Sequence, residues 1–440
     1  MKRNDLNSKL RDHARRLSPT AADQDLIGKV YQSLNDLFGT TNCIQIGSFP
    51  RFTAVTPIHD LDILFVLGQW DEDSHSPEAT LRGLYQQLAS NYVNPTNLTI
   101  KISFQTHSVT IEYLSGTELI LSVDIVPAYT FSTNEYGLPT YKVPEVIKQG
   151  SHEKRHATSW SPDQDNGWIH SDPRGYISAA TAVGVNSDFR KTVKIAKDWK
   201  NRLKAEDEKL KLRSFHLEQV ITAMFQEDSS LDLSRALFDF FVAIPDVIAE
   251  ADQIADRANP DKYIDDYIKD LAQAQKDKII LARDNVLIAL EQAKPTTDIA
   301  SIFVPNFSER NPDEQYMFDH GIPMHHDENN SKLQIHFDET TPNRLQRRKA
   351  ERRKQPVGNK LYFKIIEGYD AAMTYFWKVK NSDLLEHSQR RGEITEGSTK
   401  NDPESTQYLG SHYVECYAVD NEGICTDRAR VDVHIGDENV

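Results

Sequence analysis

Two carboxylates, Asp60 and Asp62, stand at the head of the apolar run Ile63 to Leu67. Side chains alternate along a strand, so residues two apart share one face of a sheet. Like charges held side by side repel, and partial burial worsens the repulsion unless something compensates. A divalent cation is a natural partner, and magnesium suits carboxylate oxygens shared with phosphate and water. Alone, the pair also fits a solvated strand end, so its neighbours decide. Eleven residues separate it from Gly47-Ser48, upstream. Glycine lets backbone approach a phosphate closely, and its N–H and the Ser48 hydroxyl can donate to phosphate oxygens. Arg51 and Thr53 add a charge and a further donor. Without that context Gly-Ser is a plain turn.

A third acid, Asp124, lies inside Leu-Ser-Val-Asp-Ile-Val-Pro-Ala. A carboxylate in so apolar a strand needs a partner, either a basic residue or a shared cation. If its strand pairs with that of Asp60 and Asp62, three carboxylates beside a phosphate-binding turn make a two-metal phosphoryl or nucleotidyl transfer site.

The rest of the chain fits an α/β (α+β) palm. The first forty residues read as helical, with Leu17-Ser-Pro-Thr supplying start signals. Cys43 to Ser48 is a short strand ending in a glycine turn, and Glu78 to Ser90 reads as a helix. Three strand-like runs follow at Leu98–Gln105, Val109–Leu114 and Glu118–Val126. Helical periodicity covers 188–209, 214–226, 232–252, 261–271 and 274–293, a helical lobe. The expected domains are a palm with its N-terminal helix (1–187), the lobe (188–310), a polar and basic linker (311–358) and a small all-β domain (359–440). The linker holds seven basic residues between Arg344 and Lys354, which read as a solvated run or a phosphate or partner contact.

Of 440 residues, 51 are Lys or Arg and 66 Asp or Glu, a formal charge of −15. That balance argues against broad nucleic-acid coating by charge. No apolar run reaches the roughly 18 residues of a membrane span, and the polar start lacks a signal core, so a cytoplasmic protein is expected. Three cysteines do not make a disulfide framework.

Gly-Ser, Asp-x-Asp and a distant strand Asp resemble the signature of the polymerase-β-like nucleotidyltransferases. More narrowly the chain is similar to the CD-NTases, bacterial relatives of cyclic GMP-AMP synthase and oligoadenylate synthetase. The likeness continues through Gly167-Trp-Ile-His-Ser-Asp-Pro-Arg-Gly-Tyr176, Phe189-Arg-Lys-Thr-Val-Lys-Ile-Ala-Lys-Asp-Trp199, Ser214-Phe-His-Leu-Glu218 and Ile302-Phe-Val-Pro-Asn-Phe307. The resemblance implies that Asp60, Asp62 and Asp124 hold two Mg²⁺ ions (Mn²⁺ as a substitute) and carry catalysis. It implies that Gly47, Ser48 and Lys197, with Arg51 and Lys194 nearby, position a donor triphosphate. It places Ser214, also a credible helix N-cap, on phosphate or ribose, and Phe215 near a nucleobase, although a core aromatic is the usual fate of a helix-start Phe.

Near the C-terminus, Tyr375–Lys380, His412–Val419 and Val431–Ile435 alternate like half-buried strands, with a turn at Asp420-Asn-Glu-Gly. Trp377-Lys-Val-Lys-Asn, Arg391-Gly-Glu-Ile and Tyr408 to Tyr417 resemble the adenylyl/guanylyl and SMODS C-terminal sensor domain (AGS-C), proposed to sense nucleotides. Cys416, Cys425, His412 and His434 match no zinc spacing and read as packed thiols and imidazoles. The resemblance implies an enzyme joining nucleoside triphosphates into a cyclic di- or trinucleotide with release of pyrophosphate. Such a product would act on a downstream effector in anti-phage (CBASS) signalling, with no membrane partner. Transfer of one nucleotide to a protein, RNA end or small molecule, and a non-catalytic nucleotide sensor, are the alternatives.

Overall fold

The computed structural model describes residues 1–58, 60–71, 74–146, 167–326, 330–338, 354–397 and 403–436. The basic run from Arg344 to Arg353 lies outside the described residues. The chain forms two compact units: residues 11–233 with 248–271, and residues 1–10 and 234–247 with 272 onward. The boundaries expected at 188 and 310 do not coincide with these units. Helices at 187–206 and 214–227 belong to the first, where Phe189, Val193, Ala196, Trp199 and Leu203 are buried.

The first unit is built on a seven-stranded sheet. Its strands are β1 (Cys43–Ile46), β2 (Asp60–Gln69), β3 (Thr99–Phe104), β4 (Val109–Ser115), β5 (Glu118–Thr133), β6 (Pro139–Pro144) and β7 (Trp168–Ser171). The order β1-β2-β5-β4-β3 has one parallel pair, β2 with β5; the long β5 also pairs with β6, and β6 with β7. Alternation drives the layering. Leu61, Ile63, Phe65, Val123 and Ile125 point into a core closed by helices Ala21–Phe38 and Pro77–Asn91. Thr20 and Asp23 form a capping box at the start of the first of these helices, the start signal read after Leu17. Strands β6 and β7 were not expected. One is bounded by prolines and the other is four residues long, so neither carries a usable period.

The helix expected over 261–271 is instead an irregular segment with a 3₁₀ turn at Asp266–Asp270. The buried Asp265 accepts hydrogen bonds from the amides of Gln253 (2.8 Å) and Ile254 (3.1 Å), which pins the segment as a loop.

The second unit contains two antiparallel sheets. One is β8 (Gln334–Asp338), β9 (Lys360–Glu367) and β12 (Glu404–Ser405); the other is β10 (Thr374–Lys380), β11 (Ile394–Glu396), β13 (Gly410–Val419) and β14 (Cys425–Ile435). Leu333, Ile335, Phe337, Leu361 and Phe363 meet Trp377, Val379, Val414, Cys416, Val431 and Val433 in one core. Mixed α/β followed by an all-β region is the fold class read from the sequence. The start of the β region at 359 is corrected: β8, inside the expected linker, supplies the core residues Ile335 and Phe337, and its alternation is only five residues long in a polar stretch. Cys416 and Cys425 are buried free thiols, and His412 is held by the carbonyl of Tyr408 at 2.9 Å. His434 faces Ser411 at 3.1 Å.

Trp377→Ala is expected to cost about 3–5 kcal/mol. Hydrogen–deuterium exchange should quicken in β10 and β13 and stay unchanged in β2 and β5. Equal loosening of both units would contradict separate cores.

Candidate functional site

The parallel pairing of β2 with β5 sets Asp62 directly opposite Asp124, and Asp60 opposite Ser122. On the outer neighbours Ile46 faces Asp62 and Thr110 faces Asp124. One row across the sheet therefore reads Ile46, Asp62, Asp124, Thr110. Thr110 donates its hydroxyl to Asp124 Oδ1. Gly47 follows Ile46 with φ +73°, and a side chain there would collide with the Asp62 carboxylate. Glycine is thus required twice over, by its backbone conformation and by the acid it touches. The Ser48 hydroxyl has no partner among the described residues.

Burial, helped by the charges of Asp124 and Asp60, pushes the Asp62 carboxyl up to about 6. Burial also raises Asp124, against the hydrogen bonds from Thr110 and Ser108. No basic residue forms an ion pair with the three acids among the described residues. Three mutually repelling hard oxygen donors fit a divalent cation in charge and donor type. They do not form a ready cage: among the described residues no group of three or more His, Cys, Asp or Glu is placed to hold a metal ion. Asp60 is exposed at the strand end, whereas Gly47 and Thr110 crowd Asp62 and Asp124.

The second feature of the site centres on Glu218, which is fully buried. It accepts from Arg51 Nε (2.6 Å), Arg51 Nη2 (3.3 Å), Lys197 Nζ (2.7 Å) and the Thr53 hydroxyl (3.1 Å). Despite burial, Lys197 and Arg51 hold the Glu218 carboxyl down at about 2. Lys197 also donates to the Thr53 carbonyl (3.2 Å) and hydroxyl (3.1 Å). An ammonium has three donors, so in this arrangement Lys197 has none left for a triphosphate. Arg51 is likewise turned to Glu218. Arg51 fastens the Gly47–Thr53 loop to the Ser214–Glu227 helix through Glu218, and Lys197 fastens it to the Ser187–Glu206 helix.

Lys194 donates to the Ser18 hydroxyl at 2.8 Å, and burial with the neighbouring charges of Arg190, Lys191 and Lys197 lowers its pKa. The N-cap expectation for Ser214 is corrected. Arg213 occupies that position in an extended conformation, its donor-only side chain making no cap bond and its amide donating to the Tyr267 hydroxyl (3.1 Å). Ser214 is the first helical residue. Phe215 packs edge-on against Tyr176 at 4.8 Å and lies under the Arg51 guanidinium at 5.5 Å. Asp172 caps helix Pro173–Val183 through the Gly175 amide at 2.8 Å. The residues that sequence reasoning left out of the site are Glu218 and Thr110. The signal for Glu218 was its place in the Ser-Phe-His-Leu-Glu run, and for Thr110 its alternation register with Asp124.

Residues 311–436 match the sequence model of the Adenylyl/Guanylyl and SMODS C-terminal sensor domain. No curated protein sequence matches the chain. Among solved structures, the chain is similar to Escherichia coli MS115-1 CdnC with ATP (18% identity, 70% of this chain and 99% of that one, TM-score 0.48). It is also similar to the same CdnC in a complex with HORMA-deltaN (18%, 69% and 97%, TM-score 0.47). A third is Elizabethkingia meningoseptica CdnE cyclic dinucleotide synthase with GTP and Apcpp (16%, 55% and 84%, TM-score 0.40).

An acid whose pKa is raised by folding destabilises the fold above that pKa and ceases to do so below its unfolded value near 4. In chelator, Asp62→Asn should therefore stabilise the chain by about 1–3 kcal/mol at pH 8. The gain should vanish below about pH 4, as followed by urea midpoints. Glu218 has the opposite sign: its contribution is present above about pH 4.5 and lost as pH falls towards 2. Glu218→Gln, which leaves two buried cations without a counter-charge, should cost about 3–5 kcal/mol at pH 7. A urea midpoint unchanged from the parent would contradict the network.

Proposed function

We propose that the chain is a Mg²⁺-dependent nucleotidyltransferase with a polymerase-β-like palm. It joins nucleoside triphosphates into a cyclic di- or trinucleotide with release of pyrophosphate. The observation that carries the reading is the register that sets Asp62 opposite Asp124, with Gly47 pressed on the Asp62 carboxylate. The C-terminal sensor-domain match supports the narrower assignment to a nucleotide-signalling enzyme.

Asp60, Asp62 and Asp124 would hold the metal. When bound there, Mg²⁺ supplies neutralisation of triphosphate charge and a lowered pKa for an acceptor hydroxyl. The chain's own residues do the positioning. Thr110 and Ser108 hydrogen-bond the Asp124 carboxylate and hold it in place. The Gly47–Ser48 turn offers backbone N–H groups and a partnerless hydroxyl to phosphate oxygens. Lys194 retains donors beyond the one it gives Ser18, and Ser214 makes no side-chain hydrogen bond among the described residues. Arg51 and Lys197 act through Glu218, which keeps the turn rigid while the substrate changes. Exposed Asp60, at the strand end, would be the third carboxylate of the cation site. No helix among the described residues is long and apolar enough to cross a membrane. The proposal includes a cytoplasmic role in anti-phage defence through a downstream effector.

The test is incubation with labelled ATP, GTP, CTP and UTP plus Mg²⁺. A phosphatase-resistant product is expected, and its rate should fall about 1,000-fold or more in Asp60→Ala/Asp62→Ala. Product formed at the parent rate by the double variant would overturn the assignment.

A further inference from the structure

Phe52 sits in the Gly47–Thr53 loop between two residues that bind Glu218, yet its own ring is 62% exposed. Its φ is +59°. A bulky residue in the left-handed region is a steric outlier, and glycine would hold that conformation without strain. Strain retained at a loop so tightly fastened on both sides points from the observed outlier to a use for the side chain. The ring does have one neighbour: the Arg190 guanidinium lies over it, 4.7 Å from the centroid. Arg190 heads the row that continues with Lys194 and Lys197 on helix Ser187–Glu206. It forms no ion pair among the described residues, and its Nε–H, shut away from water, finds no acceptor. A buried donor without a partner is costly unless a ligand supplies one.

We infer that Phe52 and Arg190 form a subsite for a nucleoside triphosphate, the ring stacking on its base and the guanidinium donating to a phosphate oxygen. The inference rests on the nucleotidyltransferase reading of the neighbouring loop and names a contact that reading does not contain. The ring presents one face to the guanidinium, and its exposure leaves surface for a base. Stacking on an aromatic tolerates any base, because every base has a π-face. An unpaired guanidinium provides the hydrogen-bonding edge that suits phosphate. The pair thus divides the ligand into two parts that can be measured separately.

The experiment is isothermal titration of the intact chain with Mg²⁺ and each of ATP, GTP, CTP, UTP and inorganic tripolyphosphate. Phe52→Gly should melt no lower than the parent, since it removes the left-handed strain. It should weaken at least one nucleoside triphosphate about 5- to 100-fold while leaving tripolyphosphate unchanged. Phe52→Trp should recover most of that loss. Arg190→Ala should weaken the nucleotide and tripolyphosphate alike, about 10-fold or more. Equal weakening of both ligands by Phe52→Gly would make Phe52 a loop-shaping residue and overturn the inference. Unchanged nucleotide affinity would overturn it too. A parent chain that binds none of the four triphosphates overturns the functional reading and the inference with it. A parent that binds them regardless of Phe52 overturns the inference alone.

Discussion

The carboxylate of Glu218 has no solvent to rely on, and everything it needs comes from three residues brought to it. Arg51 and Thr53 arrive from the loop after β1, and Lys197 from the neighbouring helix. Two cations on one buried anion leave net positive charge in the network, yet burial opposes each charge taken alone. The arrangement holds only if all the partners are in place, which makes it a geometric lock between loop and helix. Gly47, Ser48, Phe52 and Arg190 inherit their positions from that lock. The same lock explains why Lys197, although basic, is a poor candidate for direct phosphate contact: its three donors are already used on Thr53 and Glu218.

The row of acids has the opposite electrostatic character. Asp62 and Asp124 stand opposed on adjacent parallel strands, crowded by Gly47 and Thr110, and each is pushed towards the neutral form. The fold tolerates this because the other face of the same strands packs Leu61, Ile63, Val123 and Ile125 into the core. Alternation forces the polar face to exist wherever the apolar face does its packing. A bound divalent cation would turn the repulsion into ligation, so stability and metal affinity draw on the same residues.

The strands carrying Asp62 and Asp124 were legible because an acid inside an apolar run is conspicuous, whereas their pairing was only a condition in the sequence and is supplied by the β2–β5 register. The main helices were legible from their 3.6-residue period, with Trp199 and its stripe fully buried. What escaped is what depends on distant partners. Glu218 looks like any helical glutamate until Arg51, 167 residues away, closes on it. Lys197 reads, by resemblance, as a triphosphate contact, whereas the fold buries it against Glu218 and Thr53. Strand β8 escaped because its alternation, Gln334 to Asp338, spans only five residues within a polar stretch; His336 and Asp338, polar by sequence, are buried 3.0 Å apart. The segment at 261–271 carries enough apolar residues to suggest a helix, but Asp265 satisfies loop amides instead.

The central claim is that the β2–β5 register builds a divalent-cation site from Asp62 and Asp124, and Mn²⁺ titration followed by electron paramagnetic resonance addresses it directly. The intact chain should take up Mn²⁺, the signal should compete with Mg²⁺, and Asp62→Asn/Asp124→Asn should abolish binding with the fold retained by circular dichroism. Undiminished Mn²⁺ uptake by that double variant would contradict the account.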